Sequence, residues 1–341
     1  MAHRYKVREI AQQSGLSEAT VDRVLNNRPG VREGTRAEVL QAITDLDRQR
    51  AQLRLSGRRY LIDVVMQTPR RFSDAFREAV EAELPSFAPA VLRARFHLWE
   101  SGASEVTVDA LDRLRGSQGV ILKAPDDPAV ADAIDRLVAG GVPVVTYATD
   151  VANNSRYGHV GIDNYGAGAT AAYLIQQWLN HVAEPGTGVL VTLSRNVFRN
   201  EGEREVGFRA TLRGSGLEIV DVSGSDGLDA TNEALVLDAL RRRPDIEAVY
   251  SVGGGNAATV AAFDRLGRRC RVFIAHDLDA DNRRLLHEGR LSAVLHNDLR
   301  SDARTALRMI LAARGAVPPE PGRPSPVQIV TPFNLPSGVS S

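Results

Sequence analysis

Six polar side chains end or directly follow apolar, β-branched runs of this chain: Gln67, Lys123, Asp163, Asn256, Asp277 and Asn297. A seventh, Arg204, opens a helix-like segment. If the runs are strands of an α/β body, their ends converge on a cleft. There a few placed polar groups orient a ligand within a mostly apolar pocket. Carboxylates facing a guanidinium suit hydroxyl-rich ligands, because each hydroxyl both donates and accepts. Phe72, Tyr147 and Phe198 are candidates for ring-stacking walls. Lys123 and Arg204 add positive charge that a neutral sugar does not need, so sugar acids and sugar phosphates stand beside neutral sugars as ligand classes. Capping is the competing reading for two of the acids, since Asp163 and Asp277 each precede a helix-like stretch.

Other chemistry finds little support. No serine elbow and no pair of carboxylates stands out, and the spacing of His276-Asp277 and His296-Asn297-Asp298 fits no zinc pattern. Gly253-Gly254-Gly255 falls between a strand and a helix, but neither G-x-G-x-x-G nor a following G-K-[ST] is present. Close packing of strand, turn and helix against a ligand is the better reading. No cofactor is called for.

A second constellation lies near the N-terminus. In VREIAQQSGLSEATVDRVL, Val7, Ile10 and Ala11 recur at helical spacing, and Ser14-Gly15-Leu16 breaks the helix. Ser17 then caps a second helix whose apolar side is Val21, Val24 and Leu25. Two short helices around a tight glycine turn make a helix-turn-helix. Its second helix presents Ser17, Glu18, Ala19, Thr20, Asp22 and Arg23 toward a major groove. Arg23 suits guanine, and a carboxylate such as Asp22 can accept from cytosine N4. Arg28, Arg32 and Arg36 are placed to meet phosphates, which supplies affinity and register. Thr35 is expected to cap a third helix, with Val39, Leu40, Ile43 and Leu46 on its buried face.

The positioning elements follow from the whole chain. At 341 residues, with 43% hydrophobic and 25% charged residues, two or three globular domains are expected. Net charge is zero but uneven: residues 1–59 carry +5 and the remainder −5, so a polyanion partner is expected for the head alone. Cys270 is the only cysteine, so no intramolecular disulfide can form. No apolar targeting stretch and no bilayer-length run is present, which points to a cytoplasmic protein without a membrane partner. From Tyr60 onward, strands such as YLIDVVMQ, GVILK, GVLVTL and RVFIAH alternate with amphipathic helices. That rhythm implies parallel sheets covered on both faces, and the strands are too numerous for one sheet. The expected fold is a small all-α helix-turn-helix head on a two-lobed α/β body.

These residues carry a family resemblance. VREIAQQSGLSEATVDRVLNNRPGVREGTRAEVLQAITDL resembles the head of the LacI (lactose repressor) family of bacterial transcription regulators, with Asp22 standing where the family usually has Ser. Asp163-Asn164-Tyr165-Gly166-Ala167-Gly168 and Arg204-x-x-Gly207-Phe208 look like the family's body, which is similar to a type I periplasmic sugar-binding protein. The resemblance implies effector contacts at Asp163, Arg204, Asn256 and Asp277, and more loosely at Lys123 and Asn297. It also implies chain crossings between lobes near Asp163, near Asn297 and before Val327. The family's hinge motif departs here: its Pro-Asn is absent from Asp47 to Gly57, and Gly57 replaces the wedge leucine. Either the third helix runs on as a basic connector, or Leu53 or Leu55 serves as the wedge.

The expected organisation is a head over 1–47, a linker over 48–59 and a body over 60–341. Lobe one would hold about 60–162 and 298–325, and lobe two about 163–297 and 326–341. The expected function is sequence-specific repression by a homodimer on double-stranded operator DNA, modulated by a small effector. A solute-binding protein and a sugar-modifying enzyme are the alternatives; the basic head argues against the first, and the missing catalytic constellation against the second.

Overall fold

The computed structural model describes residues 4–55, 57–179, 184, 186–193, 198–225 and 229–336, with side chains described outside 48–55 and 229–230. The head comprises α1 (Val7–Ser14), α2 (Glu18–Leu25) and the start of α3 (Glu33–Leu55). Gly15 adopts φ 70°, a left-handed conformation that glycine enters without a Cβ penalty, and it ends α1. Ile10, Ala11, Val21, Val24, Val39 and Ala42 form the head's small core. Tyr5 ties the N-terminal strand of chain to α3 by donating to Asp47 at 2.5 Å.

Two expectations for α3 are corrected. The helix begins at Glu33, with the Arg36 amide already donating to the Arg32 carbonyl, so Thr35 lies inside the first turn rather than capping it. Leu40 is 56% exposed, because Val39 and Ala42 take the inward positions at this helix phase. Of the two readings of the junction, the backbone follows the continuous one: α3 runs through to Leu55. Gly57 then turns with φ 72°, and β1 (Arg59–Gln67) starts two residues later.

The body is built on two sheets. The first has the order β2-β1-β3-β4-β5, all parallel, from β1, β2 (Val91–Trp99), β3 (Gly119–Lys123), β4 (Val144–Tyr147) and β5 (Gly158–Val160). Helix α4 (Arg70–Glu83), a 3₁₀ turn (Leu84–Phe87) and α12 (Leu299–Ala313) cover one face, while α5 (Ser104–Asp112) and α6 (Pro128–Ala139) cover the other. β1 reads as an almost continuous apolar run because both faces are buried.

The second sheet has the order β11-β10-β9-β8-β6-β7. Its strands are β6 (Gly188–Leu193), β7 (Glu218–Ser223), β8 (Ile246–Ser251), β9 (Val272–His276), β10 (Ala293–His296) and β11 (Gln328–Val330). Here β11 pairs antiparallel with β10, so this sheet is parallel except at one edge. Helices α7 (Asn164–Leu179), α8 (Arg199–Leu212), α9 (Asp229–Arg242), α10 (Asn256–Arg265) and α11 (Ala280–His287) complete the lobe. The chain passes between the sheets after β5, between β10 and α12, and between α12 and β11, where Ile162 and Ser325 bridge in parallel. Ser325 also donates to the buried Asp302 carboxylate of α12.

Helices α7 and α8 pack with their backbones in direct contact, because Gly168 lies against the Arg204 carbonyl and Gly207 against the Tyr165 carbonyl. A Cβ at either glycine would overlap those carbonyls. Gly207→Ala is expected to push the helices apart and to cost roughly 1–3 kcal/mol. Urea denaturation would check this; an unchanged midpoint would show that α7 and α8 separate freely.

Candidate functional site

The strand order puts the C-terminal ends of both sheets face to face, and a cavity lies between them. The first lobe contributes the turn after β1 through Thr68, Arg71 and Phe72, the end of β3 through Lys123, and Ala148 after β4. The second contributes Phe198, Asn200, Glu201 and Arg204 around the start of α8, Val252 to Gly254 after β8, and His276 to Asp279 after β9. Asn297 stands on the crossing itself. Polar contacts among the described residues span the lobes around this space. Arg71 Nε meets Asp279 Oδ2 at 3.2 Å, Arg199 meets Asp126 at 4.0 Å, and the Asn200 amide donates to Thr149 Oγ1 at 3.4 Å.

The structure brings together Phe72, Lys123, Arg204, Asp277 and Asn297 of the residues expected from sequence. It places three others outside the cavity. Asp163 is exposed and accepts from the Gly166 amide at 3.0 Å, the geometry of a cap on α7. Gln67 donates to the Gly102 carbonyl at 2.8 Å and accepts from Thr107 Oγ1, which anchors a loop beneath the first lobe. Asn256 begins α10 behind the cavity wall and donates to Asn282 Oδ1 at 2.7 Å. Among the candidate rings, Phe72 and Phe198 line the space, whereas Tyr147 is buried beneath it, stacked on Phe76 at 3.9 Å between centroids.

Asp277 does not cap the following helix; Asp279 does, accepting from the Asn282 amide at 2.8 Å. Asp277 instead adopts φ 64°, and Ala148, on the opposite lobe, adopts φ 60°. Left-handed backbone at non-glycine residues costs energy, and both instances border the cavity. The Asn282 amide group holds the Asp277 turn by donating to the carbonyls of His276 and Asp277.

Lys123 is the most unusual group present. It is 6% exposed and makes no hydrogen bond or ion pair with any described residue. Its Nζ lies 4.2 Å from the Phe198 ring centroid and 5.5 Å from that of Phe72, a sandwich between ring faces that favours a cation. Burial nevertheless pulls its pKa down to about 8, with Arg204 lowering it further and Glu201 and Asp277 opposing. Arg204 is also buried. It donates Nε to Asn164 Oδ1 at 3.0 Å and an Nη to the Val252 carbonyl at 3.3 Å, so neutral oxygens hold its guanidinium. Burial, reinforced by Arg204, holds His276 far below the ordinary histidine range, hence neutral; its Nε2 pairs with Tyr250 Oη at 2.8 Å and its Nδ1 has no partner. Asn200 Oδ1 and Asn297 Oδ1 are likewise buried without partners among the described residues, so the cavity wall offers polar groups for a ligand. Among the described residues no cluster of three His, Cys, Asp or Glu could hold a metal ion.

Arg71, Asn200, Glu201 and Asp279 escaped the sequence reading. Each sits at or near the start of the helix that follows a strand, so extending the strand-end rule into that first turn would have found them.

At the other end of the molecule, Ser17 caps α2, its Oγ accepting from the Thr20 amide at 3.2 Å. Glu18, Ala19 and Arg23 are exposed on the outer side of α2. Asp22 is engaged locally, accepting from Asn26 Nδ2 at 2.8 Å and meeting Arg28 at 3.2 Å. Arg36 donates to Asn27 Oδ1 at 2.6 Å, whereas Arg23 and Arg32 have no partner among the described residues.

Fold and site together define a two-lobed α/β body with a cavity between its lobes, carrying a helix-turn-helix head. Residues 66–316 match the family described as the periplasmic binding protein domain, and residues 6–49 match bacterial regulatory proteins of the lacI family. The chain belongs to the periplasmic binding protein domain family, and its head matches the lacI family of bacterial regulatory proteins over residues 6–49. It is similar to the HTH-type transcriptional regulator AglR of Rhizobium meliloti, 28% identical over 50% of this chain and 49% of the relative. The matched segment thus spans about half the length of that relative. In fold, the chain resembles GanP, a glucose-galactose binding protein from Geobacillus stearothermophilus (TM-score 0.71, 17% identity, 82% of this chain and all of that one). It resembles a LacI-type transcriptional regulator structure from Bacteroides fragilis equally (TM-score 0.71, 12% identity, 82% of this chain and 99% of that one).

The buried ammonium has a measurable cost. The folded chain holds Lys123 near pKa 8, against 10.5 when unfolded, so the unfolded chain keeps a proton that the folded one sheds between these values. Stability contributed by this site is therefore lowest below pH 8 and rises with pH up to about 10.5. Lys123→Met is expected to raise stability at pH 7 by on the order of 1 kcal/mol, once the lost ring contacts are set against the relieved burial, and to flatten the rise above pH 8. Denaturation at pH 7 and 9.5 checks both; a variant less stable at pH 7 would show that the rings more than repay the burial.

Proposed function

We propose that this protein is a DNA-binding transcription regulator, a repressor, whose head grips double-stranded operator DNA and whose body takes a small carbohydrate-like effector between its lobes. The observation that carries this reading is the junction. A helix-turn-helix with Arg23 exposed on its outer side is joined by one helix, α3, to the first strand of the lobe that forms half of the cavity. Residues 1–47 serve as the head, 48–59 as the basic connector and 60–341 as the effector-binding body. The likeness to AglR, named a transcriptional regulator, supports the head's role, and the likeness in fold to a glucose-galactose binding protein supports the cavity's. The protein acts in the cytoplasm as a homodimer, because two heads related by a two-fold axis read a palindromic site. The effector acts by preferring one arrangement of the lobes, which biases the spacing of the heads.

Within the head, Ser17, Glu18, Ala19 and Thr20 approach the groove at the start of α2. Arg23 reads a base. Asp22 acts together with Arg28, and Arg32 and Arg36 hold phosphates. Selection from a random duplex library should return a palindrome. On that site Arg23→Ala is expected to lose discrimination at one base pair by about 1–3 kcal/mol. Arg32→Ala should weaken all sequences alike and reduce the salt slope by about one. Removing residues 1–59 should abolish the gel shift. A body that still shifts the selected DNA would place recognition elsewhere.

A further inference from the structure

The cavity holds two cations that have no acidic partner at hydrogen-bond range among the described residues. Lys123 comes from the first lobe and Arg204 from the second. Burial depresses the Lys123 ammonium, and Arg204 adds to that depression. Glu201 and Asp277 also face Lys123 and favour its charge, yet neither forms a hydrogen bond or ion pair with it. The remaining charged groups of the wall, Arg71 and Asp279, are paired with each other across the cleft. The two cations therefore line one cavity from opposite lobes. Three Lys123 N–H groups and the unspent N–H groups of Arg204 exceed what a single ring hydroxyl can accept.

We propose that the effector is a polyhydroxyl anion of monosaccharide size, bound with its carboxylate or phosphate between Lys123 and Arg204. This rests on the small-molecule reading of the cavity given above and narrows it to a charge class. An anion seated there turns a repulsion between the lobes into a bridge, with charge-assisted hydrogen bonds from both sides. The hydroxyls fall to the other unpartnered groups. Asp277 accepts from two of them, and Asn297 Oδ1 and Asn200 Oδ1 accept from others. His276 Nδ1 becomes a donor when Tyr250 Oη donates to Nε2, the arrangement that leaves fewest unsatisfied groups. Phe72 and Phe198 flank the anion site and keep water from the ammonium, which strengthens its attraction for the ligand.

The test is a binding panel on the full chain by calorimetry at pH 7. D-Glucose and D-galactose are compared with their aldonates, their uronates and their 6-phosphates, each at up to 10 mM. The expected result is that at least one anion binds 100-fold or more tightly than its neutral parent. Carboxylates and phosphates then separate the two sources of charge. Lys123→Gln, shown to be folded by circular dichroism, should lose at least 100-fold in affinity for that anion. A neutral parent that binds as well as its acids overturns the proposal, as does a panel in which nothing binds. A Lys123→Gln variant that keeps wild-type affinity for the anion overturns the placement at Lys123. These results are separable from the regulatory reading. A neutral sugar that releases DNA would sink the anion and leave the regulator, whereas an anion that binds without altering DNA affinity would do the reverse.

Discussion

Parallel strands all end on the same side of a sheet, and here two such sets of ends face each other across one gap. The rest of the structure depends on that constraint. Loops at strand ends carry backbone that no ladder satisfies, so they draw polar side chains and tight turns to the place where the lobes meet. The left-handed turns at Ala148 and Asp277, the Asn282 amide that braces one of them, and the glycine run after β8 all lie there. Binding groups from distant parts of the chain are thus collected by topology rather than by neighbourhood in sequence.

Holding charged groups in such a place needs rigid backing. Arg204 is fixed because α8 lies directly on α7 through Gly168 and Gly207, and because Asn164 at the start of α7 accepts its Nε–H. Lys123 is fixed because β3 is central in its sheet, between β1 and β4, and is buried along its length. Each side chain is carried by a buried, closely packed element of its own lobe. Their separation therefore reports on the relative position of the lobes more than on local side-chain motion.

Most of the framework was legible in the sequence because its signals are local. Gly15 and Ser17 announce a turn and a cap without reference to anything distant, and strands such as GVILK are bounded by their own composition. The errors came where one residue type serves two physical purposes. Asp163 and Asp277 both precede helices after strands, yet the first caps and the second turns into the cavity, a choice set by backbone conformation that composition does not record. Gln67 and Asn256 end or follow strands as expected but bond away from the gap. Leu40 fits the helical period, yet the shallow head core has no room for it beside Val39 and Ala42. A strand is legible in PVQIV, but its antiparallel direction is not, because a three-residue edge strand carries no signal of its direction.

The unbroken helix α3 gives the molecule a lever. Twenty-three residues at 1.5 Å each make a rod of roughly 34 Å. One end stops four residues before the start of β1, a core strand of the first lobe, and the other is part of the head. A tilt of that lobe by about 5° would swing the far end of such a rod by about 3 Å, close to the axial step between successive bases on one DNA strand, 3.4 Å. In the two-headed, DNA-bound assembly proposed above, lobe angle would thereby be converted into base-pair register, and a movement too small to disturb either core would still be large enough to misalign a head with its half-site.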